Sequence, residues 1–327
     1  MEGGKNSVSI NKIHSSPFPD GTGGLSLSMG NYLIGCSLLL VLILPVRRGY
    51  GQEWEKKWKI SLSTGYQQEN LRWSIAGNRN GQDPNIYSEL KWKGVGGPCI
   101  SAALQGDVGK GVSFFAGGSR AFIITGSAYD TDYQGDNRTN ASYRENFSAN
   151  RGSVGTWSVG AGYLILHKKR FRLTPYIGYG MNYQSYFLID PGAGPSLLHS
   201  SYKTCWSGPL LKINSRLLLN DRLQLEADME YHQVQYSARA DWNLITAFSH
   251  PLSFRHAARG YGIDAHVRLE IRLCHAISLH IGGGYFNWQT GTGTDELYLA
   301  SGQTELTQLN EVIRDGFQWL AGIQLPL

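Results

Sequence analysis

The stretch LQLEADMEY (Leu223–Tyr231) alternates without a break. Leu223, Leu225, Ala227, Met229 and Tyr231 share one face, and Gln224, Glu226, Asp228 and Glu230 share the other. A period of two makes this a strand with one apolar and one polar side. The pattern recurs on both flanks. Leu211, Ile213, Ser215, Leu217 and Leu219 are backed by Lys212, Asn214 and Arg216. Tyr261, Ile263, Ala265, Val267, Leu269, Ile271 and Leu273 are backed by Asp264, His266, Arg268, Glu270 and Arg272. A basic row, an acidic row ending in His232 and a mixed row thus lie side by side. Opposite charges on neighbouring antiparallel strands stabilise each other.

Working outward, about ten such segments fill the chain: near 57–73, 86–106, 111–131, 142–166, 171–188, 203–219, 222–241, 259–273, 276–290 and 313–327. Tight connections at 107–110, 167–170, 220–221 and 274–275 alternate with long polar ones near 74–85, 132–141, 189–202, 242–258 and 291–312. Short turns at one end and long loops at the other are the pattern of an outer-membrane barrel. The expected fold is all-β, a transmembrane antiparallel barrel of about ten strands. Both termini would be periplasmic and five long loops extracellular. Facing charged rows imply a lumen plugged by side chains, because a wide channel needs more strands. A soluble β-sandwich with one wet face is the competing architecture. Tyr66, Trp73, Trp92, Tyr163, Tyr183, Tyr186, Tyr285 and Trp288, near strand ends, are expected in the interfacial girdles. Pro175 inside a strand calls for a local irregularity, since a closed barrel has no free edge.

Composition agrees. The 327 residues hold 41 glycines and 12% aromatics but only 17% charged residues. Disorder needs the opposite balance, and so much glycine disfavours helical bundles. The run Leu33–Pro45, followed by Gly49 and Gly51, reads as a secretory signal over residues 1–51, starting at Met1 or Met29, with the barrel over 52–327. Cys36, in Leu-Ile-Gly-Cys, imitates a lipoprotein box but precedes most of the apolar run. Removing Lys5, Lys12, Arg47, Arg48, Glu2 and Asp20 lowers the net charge from +5 to +3. That is too little to suggest nucleic acid. The three remaining cysteines suggest neither a disulfide framework nor a metal pattern. A monomer in the cell outer membrane is expected, with no metal and no bound cofactor.

Asp130-Thr-Asp132-Tyr133 places two carboxylates at i and i+2 on one strand face. Close carboxylates can share a proton or orient a water, although Asp-x-Asp is also an ordinary solvated turn. Together with Ile60–Thr64, Ser88–Lys93 and Tyr231–Leu244, this motif resembles the omptin family of outer-membrane proteases. It is similar, too, to omptin-like outer-membrane proteins for which no activity is implied. The resemblance spans roughly residues 57–327 and rests mostly on strand patterning. It implies a groove at the extracellular rim, where an Asp-x-Asp pair faces an Asp-x-His pair across a water. Asp130 and Asp132 match the first pair. Asp241 matches the second aspartate, and Asn243 stands at the histidine position. An amide cannot serve as base. Arg239 stands where the family has an acid for a basic substrate side chain. The resemblance implies a lipopolysaccharide requirement, but the family's basic cluster is not evident near Tyr179–Tyr186.

The expectation is therefore an omptin-type barrel with a lost or altered proteolytic centre. It would act as a surface structural or binding protein, with membrane lipid or lipopolysaccharide and a peptide or protein at the outer loops as partners. The alternatives are an active endopeptidase in which His250 or His256 replaces the missing base, and a small pore.

Overall fold

A computed structural model describes residues 58–192 and 197–327. The proposed signal segment, with Cys36, lies outside them. The polypeptide forms a closed antiparallel barrel of ten staves. These are β1 (Trp58–Ile75); β2 (Ser88–Gly109); β3 (Val112–Phe122) continued by β4 (Thr125–Gly135); and β5 (Thr139–Ser148) continued by β6 (Gly152–Tyr163). A short β7 (Leu166–Lys168) precedes β8 (Phe171–Leu188). Then follow β9 (Ser200–Leu218), β10 (Leu223–Asp241), β11 (Phe254–Arg272), β12 (Ser278–Thr290) with β13 (Gly293–Tyr298), and β14 (Thr304–Pro326). Closure comes from β1, which pairs with β2 on one side and with β14 on the other, from Lys59↔Pro326 to Ile75↔Leu309.

The alternation of connection lengths holds, with two changes. The stretches near 132–141 and 291–312 are not loops but hairpins, built by β4 with β5 and by β13 with β14. Polar residues such as Asp136, Asn137, Arg138, Asp295, Glu296, Glu305 and Gln308 interrupt the apolar positions of these stretches, which hides strand periodicity from a hydrophobic pattern. The turn at Gly109-Lys110-Gly111 has φ of +97°, +52° and +82°, and glycine at two of its three positions relieves the left-handed backbone. Pro175 faces a gap in the neighbouring stave: β6 pairs with β8 only as far as Tyr176, and β7 resumes at Leu173. The cysteines Cys99, Cys205 and Cys274 are free thiols.

The barrel wall has two zones. In the lower one, near the short turns, apolar side chains point outward: Leu62, Ile100, Leu104, Phe114, Val159, Ile177, Ile213, Val267 and Ile281 are all exposed. A ring of Phe122, Trp157, Tyr179, Tyr231, Tyr261, Tyr285 and Phe317, also exposed, bounds this belt towards the long connections. Such a belt and ring fit the lipid-facing band and aromatic girdle of membrane barrels. Above the ring the phase inverts. On β10 the outward positions become Gln233, Gln235, Ser237 and Arg239, all exposed. The inward ones become Val234, Tyr236, Ala238 and Ala240, all buried. Trp73, Trp92, Tyr186 and Trp288, expected in the girdle, belong to this inward set. Above the lipid the outer surface is wet, so apolar side chains gain by turning inward.

Both zones are filled. In the belt the charged rows pair across β9, β10 and β11. Glu226 accepts from Arg268 Nη2 at 2.6 Å and from Asn214 Nδ2 at 2.6 Å, with Arg216 Nε at 3.4 Å. Lys212 Nζ donates to Glu230 Oε1 at 2.9 Å, and Lys59 Nζ lies 3.7 Å from Glu270 Oε2. Above the ring, Trp92 of β2 stacks between Tyr186 of β8 (5.3 Å) and Tyr202 of β9 (5.1 Å). Trp73 of β1 reaches His256 of β11 at 5.0 Å. These contacts cross the barrel and close its interior. Glu69 and Arg314, both buried, lie beneath them.

Candidate functional site at the rim

Asp130 and Asp132 lie on β4, above the aromatic ring, and both are buried on its inward face with Ala128 between them and the ring. Pairing sets Asp130 opposite Leu90 of β2 and Glu145 of β5, and Asp132 opposite Ser88 and Tyr143. No ion pair reaches either carboxylate among the described residues, and each keeps a buried Oδ1 without a hydrogen bond. Burial therefore raises the affinity of both for protons. Asp132 is pushed up to about 6, and Asp130 well above the usual range, by burial and by the neighbouring Asp132 charge. Burial also raises the Tyr143 phenol, helped by the field of both aspartates. Both carboxylates therefore hold protons more tightly than free aspartates do.

Asp241 ends β10 on the opposite parity. Counting from the exposed Tyr231, the outward positions run through Gln233, Gln235, Ser237 and Arg239 to Asp241. Arg239 is thus on the outer surface. The inward residues at this height are Ala238, Ala240 and Trp242, which do not titrate. Asn243 is held in the loop that follows. It accepts from the His199 amide at 2.9 Å and the Ser200 hydroxyl at 3.2 Å, and donates to the Leu197 carbonyl at 2.9 Å. The side chain ties the 242–253 connection to the 189–199 connection.

The two histidines of this region differ. His250 Nδ1 lies 2.7 Å from Asp241 Oδ1, and its Nε2 lies 3.3 Å from the Ile245 carbonyl. Both ring nitrogens thus face acceptors. His256 is buried. Its Nδ1 is 2.8 Å from the Tyr202 hydroxyl, which is 2.6 Å from that of Tyr236, and its Nε2 is 3.1 Å from Asp295 Oδ1. This Asp295–His256–Tyr202–Tyr236 chain sits inside the aromatic core. Extending the inward parity of Asp264 along β11 reaches His256. Asp295 falls in the hairpin that hydropathy reads as loop.

The structure thus brings Asp130 together with Asp132, and Asp241 together with His250. Among the described residues no hydrogen bond or ion pair joins the two sets.

A closed ten-stave barrel, with an apolar belt, an aromatic ring and a carboxylate pair at the long-connection rim, defines an outer-membrane β-barrel of omptin-like architecture. Residues 61–322 match the family model described as Pom, Protochlamydia outer membrane protein. The chain belongs to that family and to the outer membrane. Among solved structures it resembles the outer membrane protease OmpT of Escherichia coli, with a TM-score of 0.67 at 12% identity over 83% of this chain and 97% of that one. The translocator domain of the autotransporter NalP from Neisseria meningitidis matches at a TM-score of 0.37 and 13% identity, over 83% of this chain and 88% of that one. At 12% identity the likeness to OmpT is one of fold. A search of curated protein sequences found no match.

Proposed function

We propose that this chain is a surface barrel of omptin architecture without a working proteolytic centre, acting through its long-connection rim as a structural or binding protein. The observation that carries this reading is the placement of Asp241 and Asn243. Asp241 stands on the outward parity of β10, and Asn243 is consumed by three hydrogen bonds between connections. Water at Asp130 and Asp132 therefore has no opposing base. The filled interior argues against a pore.

The rim is proposed to face outward from the cell, with the short turns and the described chain ends on the periplasmic side. Lipopolysaccharide is the proposed lipid partner. Arg72, Lys91 and Lys93 project outward above the ring and would meet its phosphates. A peptide or protein partner is proposed at the rim, where β5 pairs along its length with β4 and meets the chain on its other side only through the Ser148–Ile189 bridge, leaving the rest of that edge open to strand addition.

The test is the purified barrel, refolded with lipopolysaccharide and incubated with a broad peptide library. No cleavage is expected. Cleavage by the wild type that Asp132→Ala abolishes would overturn the reading. The active-endopeptidase reading draws on one contact, His250 Nδ1 to Asp241 Oδ1 at 2.7 Å. If that pair worked as the base, cleavage would be seen and would vanish in His250→Ala.

A further inference from the structure

We propose that Glu230, His232 and Asp264 form a binding site for a divalent first-row transition cation inside the barrel lumen, for which Zn²⁺ is the fitting probe. The site is independent of the rim carboxylates. Glu230 and His232 stand at i and i+2 on the inward face of β10, and the register sets Asp264 of β11 directly opposite Glu230. Strand periodicity and pairing alone therefore converge one imidazole and two carboxylates. One donor atom from each lies within 4.8 Å of the other two.

His232 stands from both carboxylates at the spacing of neighbouring ligands around a metal. His232 Nε2 is 3.4 Å from Glu230 Oε2 and 3.3 Å from Asp264 Oδ2. Charge-assisted hydrogen bonds run at about 2.7–2.9 Å. Zinc takes nitrogen and oxygen ligands at about 2.0–2.2 Å, which gives a tetrahedron with edges of roughly 3.3–3.6 Å. His232 is only 3% exposed, yet its Nε2 meets the two carboxylates without a hydrogen bond of ordinary geometry and its Nδ1 makes none. Buried polar atoms rarely go without partners.

The surroundings hold the three ligands in place. Lys212 Nζ donates to Glu230 Oε1 at 2.9 Å, and Trp288 Nε1 donates to Asp264 Oδ1 at 2.6 Å. Each carboxylate thus has one oxygen anchored and the other turned to His232, the arrangement by which outer partners orient metal ligands. The Trp288 ring lies 4.6 Å from the His232 ring and fixes its plane. A cavity of about 170 Å³ adjoins all three ligands and is also lined by Gln67, Asn182, His266 and Gln318. It offers room and polar partners for a water in the fourth position. An imidazole with two carboxylates suits zinc and its neighbours, whereas calcium and magnesium take all-oxygen shells.

The competing arrangement is a protonated His232 bridging the two acids with no cation. Refolded full-length barrel is stripped with chelator, titrated with Zn²⁺ by calorimetry, and assayed for bound metal after gel filtration. One equivalent is expected in the wild type, with at least tenfold weaker binding in His232→Ala. No saturable binding in the wild type, or undiminished binding in a folded His232→Ala, would overturn the proposal. If His232→Ala does not fold, X-ray absorption on the zinc-loaded wild type decides. A four-coordinate shell of nitrogen and oxygen at about 2.0 Å supports the site, and a six-coordinate or sulfur-containing shell refutes it.

Discussion

Replacing Glu69 by alanine should destabilise the barrel by about 3–5 kcal/mol, because it strands a buried cation. Glu69 and Arg314 are 2% exposed each, with side chains at 0% and 2%. Glu69 Oε2 accepts from Arg314 Nη2 at 2.7 Å, from Arg314 Nε at 3.2 Å and from Gln67 Nε2 at 3.0 Å. Its other oxygen accepts from the Tyr186 hydroxyl. The alanine variant leaves the guanidinium over the Phe286 ring, 4.3 Å from its centroid, with no carboxylate. A cation–π contact of this kind recovers only about 1–2 kcal/mol. The double variant Glu69→Leu with Arg314→Met removes both charges and keeps the volume, so it should regain most of the loss. Replacing a whole buried pair is often neutral or stabilising. The assay is equilibrium unfolding in guanidinium, followed by tryptophan fluorescence of barrel refolded in detergent, with heat-dependent gel mobility as a check on folding. A single-variant cost below about 1 kcal/mol, or a double variant as weak as the single, would refute this account of the buried pair.

Asp130→Asn should stabilise the barrel at pH 8 and make no difference at pH 4. The folded state binds these protons more tightly than the unfolded chain, so their stabilisation is complete near pH 4 and is lost as pH rises through about 6 and beyond; unfolding midpoints against pH provide the check. Trp92→Ala should cost about 3–5 kcal/mol by removing the ring between Tyr186 and Tyr202. It should leave planar-bilayer conductance at background, because the charged rows below still fill the lumen. Asn243→Ala should speed limited proteolysis of the 189–199 and 242–253 connections severalfold while the unfolding midpoint hardly moves, since it releases contacts between loops. Val267→Lys, in the middle of the exposed belt, should cost about 2–4 kcal/mol in a bilayer. Ala257→Lys, outward on the same strand but above the ring, should cost almost nothing, and the two unfolding curves in lipid vesicles compare them.

The belt was legible because lipid on one side and packed charges on the other enforce one rule along each strand. Leu223–Tyr231 and Tyr261–Leu273 state it residue by residue, and the pairs Lys212–Glu230 and Arg268–Glu226 follow from register. What lay above the ring was harder to read. An aromatic near a strand end fits an interface or a core equally well, and only parity separates Tyr285 outside from Trp288 inside. That parity was available: ten residues of uninterrupted strand carry Tyr231 to Asp241 on the same outward side. Asp130 and Asp132 could be placed on one face by spacing alone. The partners of Asn243 could not, because Leu197, His199 and Ser200 arrive through another connection, and loop-to-loop contacts leave no local periodicity.

The inversion at the ring explains why a likeness in fold need not carry a site with it. Below the ring the outer medium is lipid, so polar side chains must be housed inside and must satisfy one another there. Above it the outer medium is water, and burial favours the opposite choice at the same strand faces. The barrel interior is therefore a charged network under an aromatic core, joined where Glu69 and Arg314 meet Tyr186. An open catalytic groove needs inward polar groups from several staves above the ring. Here β4 supplies Asp130 and Asp132, but His256 and Asp295 are tied to Tyr202 and Tyr236 inside the aromatic core, and β10 offers no carboxylate at its inward positions Val234, Tyr236, Ala238 and Ala240. The same wall geometry can hold a polar groove or an aromatic core, and above the ring β10 contributes Val234, Tyr236, Ala238 and Ala240 to the core.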